Sequence, residues 1–424
     1  MNGRHVNRVR QPVDHEVTVP GSKSVANRAI MCSVLASGAS VLVGVPDGDD
    51  THLMIQGCRV FGASIRVDGD VISIQSGIDR SDSDPTSINA GLGGTTSRFL
   101  TALAATRVGT VTVTGDLGLQ KRPMADLHDA LHELGVSLFW HGASGALPVT
   151  VSDGPVQGGT VTVSAEASSQ FASALVLAAP AMSRGLRLNV PSPRVSSGYL
   201  DMSIMVAREF GAKILVEGDS ISVDFGGYQG RVYHVEPDAS SASFVFAVPA
   251  IVGGRVVVPG MGRVTMQPER LFPNVLRKMG CTVEIVDSSL VVSRDPREPL
   301  RGVDIDMSAM SDAVPILAAI ATRATSPSRI RGVGFIRDKE SNRIDGLAGE
   351  LRKVGAEVAV ETDGLSIIPG TPRSAIVNTL GDHRIAMAFG VLGLAGGNVI
   401  IQNPEVVAKS WPSFWEVLDR FSRP

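Results

Sequence analysis

Residues 60–74 read VFGASIRVDGDVISI, and the same phrase returns as EFGAKILVEGDSISV at 209–223, KMGCTVEIVDSSLVV at 278–292 and KVGAEVAVETDGLSI at 353–367, with a looser copy, ELGVSLFW, at 133–140. The marker glycines are Gly62, Gly135, Gly211, Gly280 and Gly355, spaced 69 to 76 residues apart. Each copy reads as an amphipathic helix stopped by Gly and followed by two alternating strands joined by a tight Asp/Gly/Ser turn. A long-period repeat of this kind sets the architecture of the whole chain. A sixth helix, Phe414 to Phe421, begins the unit without a following hairpin, so a strand around Val17 to Val19 is expected to complete it.

A second element recurs in step with the first: an Ala-rich apolar helix beginning at Ser24, Thr95, Ser168, Ser240, Ser311 and Asp382. These helices are apolar nearly all round and should be buried. The chain is therefore expected to be α/β, a two-domain inverse α/β barrel of six βαβαββ-like units, three per domain. Because the last unit borrows from the N-terminus, residues 1–20 and 236–424 should form a discontinuous terminal domain and 21–235 a middle domain. The active site would lie in the cleft between them.

With 424 residues, 43% apolar and 19% charged, two globular domains of roughly 200 residues are the natural prior. A net charge of -3 gives no global field for nucleic acid or an anionic membrane, so anion binding must come from local clusters. Cys32, Cys58 and Cys281 have neither metal-ligand spacing nor an even-numbered disulfide framework. No apolar run reaches the ~18 residues of a membrane span. These features together predict a soluble, cytoplasmic protein.

The N-termini of the six apolar helices carry SKSVANR, GTTSR, SSQ, DASSAS, SDA and GDHR. Ser, Thr and Asp are ordinary N-caps, and capping explains DASSAS. Lys23, Arg28, Arg98 and Arg384 are different: they put cations where the helix dipole already disfavours them, which points to bound anions. The nucleotide motifs do not fit, since Gly21-Ser22-Lys23-Ser24 is not a P-loop and Gly91–Gly94 does not complete GxGxxG. The histidines make no HExxH, and Asp49, Asp50 and His52 read as a helix cap rather than a metal site.

PGSKS with Asn27-Arg28, Thr114-Gly115-Asp116 through Arg122-Pro123, Ser168-Ser169-Gln170, RDKESNR at 337–343 and Asp382-His383-Arg384 occur in register with the six units. Together they resemble the EPSP synthase (3-phosphoshikimate 1-carboxyvinyltransferase) family over essentially the whole chain. The resemblance implies transfer of the enolpyruvyl group of phosphoenolpyruvate to the 5-hydroxyl of shikimate 3-phosphate, with release of phosphate. It implies that Lys23, Ser24, Arg28, Ser168, Ser169, Gln170, Ser196, Tyr199, Asp312 and Lys339 face shikimate 3-phosphate. Phosphoenolpyruvate would be held by Lys23, Gly94, Arg122, Gln170, Arg343, Arg384 and Lys409.

Asp312 (base), Glu340 (acid) and Lys23 would be catalytic, with no metal or other cofactor, in a monomer that serves aromatic amino-acid biosynthesis and is a glyphosate target. By themselves, Asp312 also reads as a helix cap and Glu340 as an i,i+3 partner of Arg343. The chain departs from the family pattern at Leu92 and Phe99, expected on the phosphoenolpyruvate side, at Phe335 on the acceptor side, and at Asn342. The sister family acting on UDP-N-acetylglucosamine often uses a mobile-loop cysteine, and Asp116–Arg122 contains none. The residues are also compatible with a different cyclic acid as the acceptor, and with a non-catalytic protein that binds anions.

Overall fold

The computed structural model describes residues 3–192 and 195–423; Met1, Asn2, Pro193, Arg194 and Pro424 lie outside the described residues. The chain forms two compact units, Met1–Pro20 with Pro237–Pro424, and Gly21–Glu236. Each has its own apolar core. No helix among the described residues is long and apolar enough to cross a membrane.

Six helices occupy the interiors. Lys23–Val34, Gly94–Ala104 and Gln170–Ala178 pack on one another in the Gly21–Glu236 unit, and Ala239–Val252, Val314–Ala321 and His383–Gly393 do so in the other. Their Ala, Ser and Gly positions let the backbones approach closely, and most side chains on every face are buried, as at Ala26, Ala102, Ala174, Ala247, Ala318 and Ala386. Mixed sheets flank these helices with one side toward the core and the other toward solvent, the inverse of a doubly wound fold.

One unit shows the pattern of five of the six, the sixth having a three-stranded sheet without the hairpin. Strand Thr86–Asn89 leads through the buried helix Gly94–Ala104 to a parallel strand, Val111–Thr114. The outer helix Ala125–Glu133 then leads to the antiparallel pair Ser137–Trp140 and Val149–Ser152. Where the outer helix ends, the marker glycine turns the chain: Gly62, Gly135, Gly211, Gly280 and Gly355 all have φ between +91° and +108°. That left-handed conformation is costly for any residue with a Cβ. At Gly355 a Cβ would also fall 2.0 Å from the Thr371 carbonyl oxygen.

Two units are closed by strands distant in sequence. Val232–His234 lies parallel to Ser40–Val43, and Val13–Glu16 lies parallel to Gly254–Val258. The sixth sheet corrects the expectation for Val17–Val19: the strand that joins Val399–Gln402 is Gly3–His5, paired antiparallel to it. Val17 and Val19 instead run on from strand Val13–Glu16 into the core. Gly-Arg-His has no apolar alternation to mark it as a strand. It is held by backbone pairing, by the Arg4–Asp419 ion pair at 2.6 Å and by the Arg4 guanidinium 5.0 Å from the Trp415 ring.

The two ends of the buried helices are electrostatically distinct. At their C-terminal ends arginines meet backbone carbonyls, as the dipole favours: Arg80 donates to Thr106 and Ala181, Arg294 to Ala250 and Arg323 to Gly396. At their N-terminal ends the dipole gives no such reason for Lys23, Arg28, Arg98 or Arg384.

Candidate active site

In the terminal unit, the starts of three helices meet around one arginine. Arg343 opens helix Arg343–Lys353, whose N-cap Asn342 accepts from the Asp345 amide, so Asn342 serves that helix start well. Asp382 caps helix His383–Gly393 by accepting from the Arg384 amide at 2.9 Å. Asp312 lies in the turn Ser308–Ala313 that leads into helix Val314–Ala321.

The Arg343 side chain is 1% exposed and binds three carboxylates: Asp382 at 2.8 Å, Glu340 at 2.9 Å and Asp312 at 3.0 Å. Arg384 binds the other Asp312 oxygen at 2.8 Å. Burial alone would raise the Asp312 carboxyl, but the charges of Arg384, Arg343 and Lys339 outweigh it and hold the group well below the usual range. Burial likewise opposes ionisation of Asp382, and Arg343 reverses it. The Lys339 ammonium stands 5.6 Å from the Phe335 ring centre, and Lys409 is buried at the end of the turn Pro404–Lys409.

The structure therefore gathers Asp312, Glu340, Arg343, Arg384 and Lys339 into one ionic cluster. It changes both of the modest roles open to the acids. Glu340 does pair with Arg343 at i,i+3, but as one of three acids on that arginine, and Asp312 bridges two arginines from different helices.

In the middle unit Lys23 opens the first buried helix and donates to Asp50 at 2.7 Å. This corrects the cap expected at Asp50: the N-cap there is Gly48, which makes no side-chain bond, and the buried Asp50 carboxylate is the lysine's partner. Arg28 is 1% exposed and donates to the Ser24 carbonyl, the Tyr199 carbonyl and the Ser203 hydroxyl. Phe99, expected beside phosphoenolpyruvate, has its ring fully buried with its centre 5.4 Å from the Arg28 guanidinium. Leu92 is 42% exposed.

A second arginine ties the next two helices together. Arg98 donates to the Gln170 side-chain oxygen and, at 2.9 Å, to the Pro123 carbonyl, next to Arg122. Gly94 lets the Arg122 side chain lie against the helix start: a Cβ there would fall 2.6 to 2.9 Å from the guanidinium atoms and shift them. Ser168 accepts from the Gln170 amide at 3.2 Å, and Ser169 is buried beside it. Ser196 is held at φ +52°, unusual for a residue with a Cβ, with its hydroxyl buried and unpartnered among the described residues.

Asp382, Asp50 and Ser203 hold the side chains of Arg343, Lys23 and Arg28, and the sequence suggested no such role for them. An acid inside a Gly-Asp-His-Arg helix start is a usable signal for Asp382, because an ionised group there must find a cation if it is buried. Nothing in the sequence pairs Ser203 with Arg28.

A family model described as EPSP synthase (3-phosphoshikimate 1-carboxyvinyltransferase) matches residues 8–418. The chain is 38% identical over 411 residues to the 3-phosphoshikimate 1-carboxyvinyltransferase of Methanosphaerula palustris, covering 96% of each. It is 37% identical over 412 residues to that of Nostoc sp., again with 96% of each covered. Among solved structures, EPSP synthase from Acinetobacter baumannii superposes with a TM-score of 0.80 at 26% identity, covering 99% of this chain and 98% of that one. The enolpyruvyl transferase NikO from Streptomyces tendae, at 20% identity and TM-score 0.75 with 98% and 96% covered, shares the fold. By its repeat, its motifs and these relatives, the chain belongs to the EPSP synthase family.

Proposed function

We propose that this enzyme transfers the enolpyruvyl group of phosphoenolpyruvate to the 5-hydroxyl of shikimate 3-phosphate, releasing phosphate. The observation that carries the reading is the Asp312–Glu340–Arg343–Arg384 cluster. A simple anion binder needs cations, whereas this cluster sets two acids among them, one bridging both arginines. Asp312 accepts the proton of the attacking hydroxyl as its oxygen bonds to C2, and Glu340 protonates C3. Expulsion of phosphate from the tetrahedral intermediate, with a C3 proton returned to the Glu340 carboxylate, then restores the double bond, and Lys23, Arg122, Arg343, Arg384 and Lys409 neutralise the anionic groups. Ser168, Ser169, Ser196, Tyr199 and Lys339 hold shikimate 3-phosphate with Ser24 and Arg28, and Gln170 contacts both substrates. The buried Ser196 hydroxyl, unpartnered among the described residues, supports that assignment.

The reading further makes the protein a cytoplasmic monomer that works on small molecules, without nucleic acid or membrane. Its site residues divide between residues 1–20 with 236–424 and residues 21–235, so catalysis in a cleft between these domains is part of the proposal. Ligands shared by both sets should draw the domains together, and small-angle scattering is expected to show a smaller radius of gyration with both substrates present. An unchanged radius counts against it.

A phosphate-release assay tests the function directly, with shikimate 3-phosphate, shikimate and UDP-N-acetylglucosamine offered separately alongside phosphoenolpyruvate. Turnover with the first alone is expected; turnover with another acceptor and none with the first would reassign the enzyme. Gly94→Ala must displace the Arg122 guanidinium. Its KM for phosphoenolpyruvate is expected to rise by about tenfold, or ~1.4 kcal/mol, with the KM for the acceptor nearly unchanged. Steady-state kinetics in both substrates checks this, and an equal rise in the two constants would dissociate Gly94 from Arg122.

A further inference from the structure

Arg28 is an isolated buried cation. It is 1% exposed, and among the described residues no carboxylate pairs with it. Such a charge is costly unless its hydrogen bonds are satisfied, and burial pushes its guanidinium down to about 10. Three neutral acceptors support it: Nε donates to Ser203 Oγ at 2.7 Å, Nη1 to the Ser24 carbonyl at 2.8 Å and Nη2 to the Tyr199 carbonyl at 2.9 Å. The rings of Phe99 and Tyr199 lie 5.4 and 6.0 Å from its central carbon. A guanidinium has five N–H groups, so these three bonds leave two, one on each terminal nitrogen.

Ser203 is fully buried on helix Gly198–Glu209 and donates its own hydrogen to the Tyr199 carbonyl at 2.9 Å. By itself that is the ordinary back-bond of a helical serine to the residue four before it. It has a further effect here. With its hydrogen committed to Tyr199, the hydroxyl can only accept from Arg28, and the Tyr199 carbonyl receives both Ser203 and Arg28 Nη2. The three groups close a ring of hydrogen bonds that fixes the rotation of the guanidinium plane.

We propose that Ser203 is a positioning residue for acceptor recognition: its hydroxyl locks Arg28 so that the two remaining N–H groups form a fork for an anionic group of shikimate 3-phosphate. The inference rests on the functional reading given above and deepens it, since Ser203 acts through Arg28. Ser203→Ala leaves the buried Nε without an acceptor. Ser203→Cys does so nearly as well while keeping the side chain's size, because sulfur accepts weakly. Ser203→Thr keeps the hydroxyl.

In steady-state kinetics on the full-length protein, the Ala and Cys variants are expected to raise the KM for shikimate 3-phosphate about tenfold. Their kcat and KM for phosphoenolpyruvate should stay within about twofold of wild type, and Thr should restore the acceptor KM. Equal losses in both KM values with a lowered melting temperature would make Ser203 a merely structural residue and overturn the proposal. Titration calorimetry with shikimate 3-phosphate alone separates the two levels of inference. Wild-type protein that neither binds it nor turns over sinks the functional reading and this proposal with it. Wild-type protein that binds it no more tightly than the folded Ala or Cys variants sinks the positioning role alone.

Discussion

Asp312→Asn is expected to lower kcat by ~10²–10⁴-fold while leaving the affinity for shikimate 3-phosphate within about threefold. The side chain keeps its size and can still accept from an arginine, but it can no longer take the proton of the attacking hydroxyl. In the free protein Arg384, Arg343 and Lys339 hold Asp312 ionised. Burial and these cations act in opposite directions on it, so when phosphate and carboxylate groups of the substrates share the arginines, its carboxyl must rise and become a better base. The acid limb of kcat should therefore lie at higher pH than that of kcat/KM, which reports the free enzyme. If Asp312 served only the turn before helix Val314–Ala321, Asn would do as well as Asp and turnover would survive. Near-normal kcat would remove Asp312 from the mechanism.

The second large effect concerns stability. Arg343→Met is expected to abolish activity and to destabilise the terminal unit by about 3–5 kcal/mol at pH 8, because it leaves three acids around Arg384 and Lys339 with their shared buried cation gone. The pH dependence identifies the cause. In the wild type, Asp312 and Asp382 are held below their unfolded values. Their contribution is thus fully present above the unfolded carboxyl range, near pH ~4, and is lost only as pH falls below it. In the variant Asp382 loses its main cation and Asp312 loses the second of its two arginines, so both carboxyls rise; stability is lost as pH climbs through their raised values and is partly regained on acidification. Urea unfolding at pH 8 and pH 5 should show the gap between variant and wild type narrowing at pH 5. A deficit of the same size at both would assign the loss to packing.

The architecture was legible because it is written six times. A helix stop that requires positive φ leaves Gly in the sequence, and all five marker glycines have it. The buried helices were visible as apolar runs, and their observed starts at Lys23, Gly94, Gln170, Ala239, Val314 and His383 fall within a few residues of the expected ones. The largest offset, at Val314, comes from the turn Ser308–Ala313, whose kink at Met310 breaks the helix.

Three-residue edge strands were not legible, since Gly3–His5 pairs through its backbone and its side chains carry no pattern. Nor were the partners of charged groups. Periodicity assigns a side chain to a face, whereas Asp50 with Lys23, and Asp382 with Arg343, are set by how separate elements pack. Phe99 shows the same limit: the sequence did not show that its direction from the helix sets its ring 5.4 Å from the Arg28 guanidinium.

The exchange of closing strands also bears on how the polypeptide is made. Strand Val13–Glu16 emerges from the ribosome well before its parallel partner Gly254–Val258, which follows some 240 positions later, the Asp14–Arg255 separation being 241. At elongation rates of ~5–20 residues per second, that strand waits roughly 10–50 s with Val13 uncovered. The segment 21–236, by contrast, has every strand it needs once Val232–His234 has emerged, and can fold while the rest is still being synthesised. The early strand is short and alternates Val-Asp-His-Glu, so its charges guard an unpaired edge during the wait.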